Sequence, residues 1–253
     1  MPQSDAWRRT LLAAALLLAV AVRADEAPAV TWNGSLALTS DYRFRGLTQT
    51  GGDPALQAGL ETDFPGGAYL GAWASNVSWL AASSTPAHPV SNSLELDLYA
   101  GRRGAFGNGA TWDVGVYAYT YPGHYPRDQP SPQTLEGYAA LGWKTLTLKY
   151  SRSIGNLFGV AASRGSHYTE TAWQQPLGAT WALAAHLGHQ DVAGHRAADY
   201  TDWKLGISHT WGTAWTIELD WCDTNARRAA YTDPQGRYLG RATALLTVTR
   251  AWH

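Results

Sequence analysis

Cysteine is nearly absent: Cys222 is the only one in 253 residues. No intramolecular disulfide can form, so an exported chain of this size must draw its stability from elsewhere. No signature around Cys222 marks it as a nucleophile. Basic charge is not in excess either, with 19 Lys+Arg against 20 Asp+Glu and no arginine-rich run. That excludes the electrostatic footprint of nucleic-acid binding. Phenylalanine is scarce, at 4 residues, and past the N-terminus no long apolar run occurs. Such a run, of about 20 residues, is what a membrane-spanning helix needs. No helix-period stretch competes in the body of the chain.

The one apolar run is N-terminal. Arg8, Arg9 and Thr10 precede "LLAAALLLAVAV", which "RADEA" follows. A basic segment, about 12 apolar residues and small residues at Val22 and Ala24 make a secretory signal. We read Met1–Ala24 as a cleaved signal peptide and 25–253 as a single mature domain.

What the sequence has in quantity is 13 Trp, 13 Tyr and 26 Gly. Amphipathic rings favour membrane–water interfaces. The rest of the chain alternates with period two. "SLELDLYAG" sets Leu94, Leu96 and Leu98 against Glu95, Asp97 and Tyr99; "DWKLGISHTW" sets Trp203, Leu205 and Ile207 against Asp202, Lys204 and Ser208; "WTIELDW" sets Ile217 and Leu219 against Glu218 and Asp220. The alternation predicts about twelve strands of roughly ten residues, the number and length that bacterial outer-membrane barrels use. The first is expected over 30–45. Long polar connections such as "ASSTPAHPVSN" and "PGHYPRDQPSPQ" alternate with tight ones such as "PLG" and "GTA". This parity is the topology of outer loops and periplasmic turns. The expected fold is therefore all-β, a single closed antiparallel transmembrane β-barrel in the outer membrane.

Tryptophan placement follows the same topology. Trp32, Trp112, Trp143, Trp173, Trp181, Trp211, Trp215 and Trp252 fall beside the short turns, and Tyr42 and Phe44 are expected at the opposite rim, completing an aromatic girdle.

"TSDYRFRG" (Thr39–Gly46) carries three charges on alternate positions. In a barrel, Asp41, Arg43 and Arg45 turn inward, because an Arg facing mid-bilayer costs about 2–4 kcal/mol. The other inward charges are mostly acidic: Glu61, Asp63, Glu95, Asp97, Asp113, Glu136, Glu170, Asp202, Glu218 and Asp220, with Lys149 and Lys204. Isolated charges in a narrow lumen must be hydrated or paired. Two readings stay open. The belt is a constriction that selects solutes by size and charge, or its charges pair off and plug a small barrel. Small inward residues such as Gly59, Gly101, Gly115, Gly142, Gly188 and Gly206 favour the open lumen.

"LALTSDYRFRGLTQTGGDPALQAGLE", with "GAYLGAWASNV", "SLELDLYAG", "WDVGVYAYTYPG" and "LEGYAAL", resembles the TorF-like porins, a family of bacterial outer-membrane proteins. The resemblance runs over roughly 34–151. It implies a barrel for passive transport and brings no catalytic residues, cofactor or named substrate.

Enzymatic alternatives find little. His186, His189 and His195 lack the converging partners of a zinc site. Ser208 and His209, adjacent in a strand, point to opposite faces and cannot form a dyad. No GxSxG elbow occurs. Gly51-Gly52 is a turn and not a phosphate cradle. The proline-rich loop 121–132 is expected as exposed decoration, folding into the mouth being the alternative. The expected function is a porin passing small hydrophilic solutes with weak charge selectivity; the alternatives are a closed structural or adhesive barrel whose outer loops bind partners and, third, a hydrolase acting at the lipid face. Expected partners are outer-membrane lipids including lipopolysaccharide, and the barrel-assembly machinery during insertion.

Overall fold

The computed structural model describes residues 30–252, so the signal peptide assigned to Met1–Ala24 lies outside the described residues. Fourteen strands run in chain order: β1 (Thr31–Thr39), β2 (Arg43–Phe44), β3 (Leu47–Thr48), β4 (Ala55–Asp63), β5 (Ala68–Asn76), β6 (Leu94–Ala105), β7 (Ala110–Thr120), β8 (Thr134–Trp143), β9 (Leu146–Ser153), β10 (His167–Leu177), β11 (Trp181–Asp191), β12 (Tyr200–Trp211), β13 (Trp215–Thr224) and β14 (Thr243–Trp252). Twelve of them close into one antiparallel barrel, β1 and β4 to β14, each paired with its sequence neighbour; β2 and β3 form a separate hairpin. The seam joins β1 to β14, from Gly34 opposite Trp252 to Thr39 opposite Thr247. Among the described residues no helix is long and apolar enough to cross a membrane; the crossing is made by strands.

The sheet is sorted by parity. Leu36, Leu60, Leu98, Leu148, Leu205 and Leu219 stand exposed on the outside, while Glu95, Asp97, Glu136, Asp202 and Asp220 are buried within. In a soluble protein so many exposed leucines would be untenable; on a closed barrel they are the surface that lipid wets. The register has only this sign, since a one-residue slip would turn every carboxylate outward.

The first strand departs from expectation. It stops at Thr39, and residues 40–54 fold into the barrel. Asp41 turns the chain by accepting the hydroxyls of Thr48 and Thr50 at 2.5 and 2.9 Å. Phe44 then pairs with Leu47 across a two-residue turn. Both turn residues, Arg45 (φ 47°) and Gly46 (φ 78°), take positive φ, the requirement of a tight hairpin whose twist matches its strands. Tyr42 and Phe44 therefore do not reach the lipid interface. Tyr42 is only 8% exposed and packs with Ala55, Val77, Leu80, Tyr119 and Tyr121; Phe44, Trp73 and Phe158 pack around that cluster.

The inward glycines do not leave open space as expected. A Cβ at Gly101 would meet Tyr69, at Gly115 Tyr138, and at Gly188 Tyr168. Each glycine is the seat on which a cross-strand tyrosine lies flat, a pairing that suits a strongly curved sheet.

Candidate functional site

Inward charges sort into three levels along the barrel axis. Nearest the long loops lies the hairpin. Arg43 donates from Nε to Asp41 Oδ2 at 2.6 Å and from Nη1 to the carbonyls of Gly46 and Leu239 at 3.2 and 3.1 Å. Arg45 forks onto Glu136, Nη2 to Oε2 at 2.6 Å and Nη1 to Oε1 at 3.0 Å, and reaches Gln190 Oε1 at 2.8 Å. Its guanidinium also lies 4.3 Å from the centre of the Tyr168 ring. Phe44 meets Tyr119 and Phe158 edge-on, at 5.4 and 5.5 Å. The hairpin thus touches walls on several sides of the barrel. Glu95 and Asp97 lie behind Tyr42, with Tyr121 donating its hydroxyl to Glu95 Oε1 at 3.1 Å.

The loops close over this level. Ser91 and His124 bridge two of them. Tyr125 donates to the Tyr121 carbonyl at 2.9 Å and packs on the apolar cluster. Burial pushes its phenol up to about 12, so it remains a donor. The proline-rich loop is therefore not wholly decoration: its stem packs over the mouth, and 127–131 stays exposed.

Half-way down, a polar strip crosses β9 to β13. Lys149 faces Glu170 at 3.9 Å. His186 Nε2 lies 3.1 Å from Asp202 Oδ2 and 2.9 Å from the Tyr168 hydroxyl, which donates to Asp202 Oδ1 at 2.8 Å. Lys204 bridges Glu218 and Asp220, both at 3.0 Å. A cavity of about 390 Å³ lies between this strip and the hairpin, with Tyr42, Trp73 and Tyr119 on its other side.

Near the short turns stands the third group. Arg103 pairs with Glu61 and Asp63, and Asn33 donates to Asp63 at 2.8 Å. Tyr69 donates to Asp113 at 2.6 Å and meets the Tyr138 hydroxyl. Beside it a second cavity, of about 460 Å³, is lined by Arg103, Thr111, Trp112, Asp113 and Thr147.

The charges expected in one belt are therefore divided. Asp41, Arg43, Arg45, Glu95, Asp97 and Glu136 gather at the hairpin, with Asp202 and Asp220 just beneath it. Lys149, Glu170, Lys204 and Glu218 line the middle. Glu61, Asp63 and Asp113 stand apart, because Glu61 pairs opposite Gly71 and Asn33 close to the turns. Arg103, Tyr69, Tyr138, Tyr168 and Gln190 were not picked out from the sequence. Their parity was the available signal: Arg103 shares a face with Glu95 and Asp97, Tyr168 with Glu170, and Gln190 with His186.

On the outside, Trp32, Trp143, Trp181, Trp211, Trp215 and Trp252 stand exposed at the turn end, and Trp112 and Trp173 are half-buried there. Tyr150, Trp203 and Trp221 are exposed toward the loops. His209 sits between Trp181 and Trp211, with ring centres at 4.4 and 5.7 Å. It faces away from Ser208. Among the described residues no three His, Cys, Asp or Glu side chains converge as a metal site.

Residues 23–252 match the family described as "Bacterial protein of unknown function (Gcw_chp)". The chain belongs to this family. Its fold is that of outer-membrane porins. It superposes on the KdgM porin with TM-score 0.54 at 8% identity, over 87% of this chain and 99% of that one. The NanC porin gives 0.50 at 11%, over 88% and 100%. A KdgM porin in complex with disordered oligogalacturonate gives 0.51 at 7%, over 89% and 100%. No curated protein matches the sequence. This Gcw_chp barrel is an outer-membrane protein, and at such identities its neighbours fix its fold alone.

Proposed function

We propose that the barrel is a narrow passive channel for small hydrophilic solutes, with the hairpin 42–50 setting its size limit and an acidic interior giving a mild cation preference. The resemblance of the first-strand region to TorF-like porins supports the same reading. The observation that carries it is the half-exposed polar strip of Lys149, Glu170, His186, Lys204 and Glu218 along a 390 Å³ cavity. A wall needed only for stability is served as well or better by apolar residues, since desolvated ion pairs seldom gain net energy. Charges that stay partly solvated suit a wet path. Lipopolysaccharide at the loop rim and insertion by the barrel-assembly machinery belong to the same reading.

A second reading, a closed adhesive barrel, is favoured by one observation: the hairpin reaches Trp73 on one wall and Glu136, Gln190 and Asp202 on others. Liposome swelling separates the two. A channel admits small polyols into vesicles carrying the full chain, and deletion of 42–50 raises the size limit. Swelling that stays nil in both forms leaves the adhesive reading standing.

A further inference from the structure

We propose that the cavity beneath the hairpin is a binding site for small zwitterions of amino-acid type, solutes carrying an ammonium and a carboxylate a few bonds apart. This rests on the channel reading and names its solute class.

The charges at the hairpin are spent: the Arg43–Asp41 and Arg45–Glu136 side chains are 1–7% exposed. Those of the strip stay partly solvated, although Lys204 still bonds Glu218 and Asp220. Lys149 and Lys204 are 36% and 34% exposed, and Glu170 and Glu218 are 26% and 34% exposed. A solute in the cavity can reach both signs. Positive and negative groups follow one another along the wall, Lys149 and Glu170 on β9 and β10, then Lys204 and Glu218 on β12 and β13, with His186 between.

Exchange then decides which solute gains. The Lys149–Glu170 pair stands at 3.9 Å, outside hydrogen-bond range, so separating it sacrifices little. A zwitterion offers a carboxylate to the lysine and an ammonium to the glutamate, and no charge is stranded. A singly charged solute satisfies one partner and leaves the other unpaired, which is how sites reject wrong ligands. A neutral sugar offers hydroxyls to both but replaces the charge of neither, so the pair it separates is less well compensated. The opposite wall, where half-buried Trp73 borders the cavity, supplies apolar surface for the aliphatic part. The volume lies at the small end of ligand pockets, which run about 300–1,000 Å³.

Calorimetry on the detergent-solubilised full chain tests this, with L-glutamine as probe and acetate, methylammonium, galacturonate and glucose as controls. Glutamine should bind saturably, at least about tenfold tighter than every control, a margin of about 1.4 kcal/mol. Lys149→Gln/Glu170→Gln, with folding checked by heat-modifiable gel mobility, should lose that margin. Equal binding of acetate or galacturonate, a margin surviving in the double variant, or no glutamine binding overturns the inference. Liposome swelling on the same preparation keeps the two claims apart. Swelling without glutamine preference removes only the zwitterion site, whereas absent swelling removes the channel whatever binds.

Discussion

Arg45 and Glu136, separated by 91 positions in sequence, form a forked ion pair across the barrel interior at 2.6 and 3.0 Å. The arginine sits at the tip of a hairpin and the glutamate on the wall, so the pair is the tie between the in-folded segment and the barrel. Removing one partner of a buried pair costs about 3–5 kcal/mol, because the other charge is left alone. Arg45→Gln should therefore loosen the tip, and single-channel recordings should give larger and noisier conductance than wild type. Arg45→Met/Glu136→Leu should keep more of the thermal stability than Arg45→Gln alone. An unchanged conductance in Arg45→Gln would mean that Arg43 and the Asp41–Thr48–Thr50 network hold the hairpin without it.

Tyr168 lies over Gly188, donating to Asp202 beneath the Arg45 guanidinium. Gly188→Val should displace the ring and with it the support under Arg45. Overpacking of this kind costs about 1–3 kcal/mol, read as a lower urea midpoint for the folded barrel in vesicles. Gly137→Ala is the control, since a Cβ there meets nothing within 4 Å. Equal losses in both variants would refute the seating of tyrosine on glycine.

The barrel wall was legible because two solvents impose a strict period of two: Leu205 meets lipid and Lys204 the interior, and nothing blurs the alternation. The hairpin was not. Asp41, Tyr42, Arg43, Phe44 and Arg45 continue the same alternation past Thr39, yet the wall ends there. The signs of a turn were Gly46 and the run Gly51-Gly52-Asp53-Pro54. Arg45 concealed the first of them, because a long cation is an unusual occupant of a left-handed turn position. The inward parity of Glu61 was readable, and so was its level, because it stands four residues before the Pro65–Gly67 turn; grouping it in one belt with the hairpin charges ignored that position. The tyrosines over glycines were hidden, because the two partners lie on different strands.

Leu205 is the most exposed of the large outward residues on β12, at the strand's centre. Leu205→Arg should cost about 2–4 kcal/mol of unfolding free energy in vesicles, whereas Trp211→Arg, at the turn end, should cost about 0–1 kcal/mol for its charge. Urea titration in phospholipid vesicles gives both numbers. Similar costs at the two positions would contradict a hydrocarbon layer centred on Leu205.

Ion selectivity depends on which charges face the path. Glu170 and Glu218 oppose Lys149 and Lys204 along the cavity, and among the described inward side chains outside the hairpin pairs the acidic Glu61, Asp63, Asp113, Asp202 and Asp220 outnumber Arg103. The interior potential is therefore negative, and the reversal potential in a KCl gradient should carry the cation-selective sign. Glu170→Gln/Glu218→Gln should move it toward zero, and Lys149→Gln/Lys204→Gln away from it. Each charge removed should change the permeability ratio by about fivefold at most, the factor given by ~1 kcal/mol of Coulomb interaction at 4 Å in water. High salt should shrink both shifts, as the screening length falls to about 3 Å at 1 M. A wild-type channel that prefers anions would contradict the sign argued for the interior.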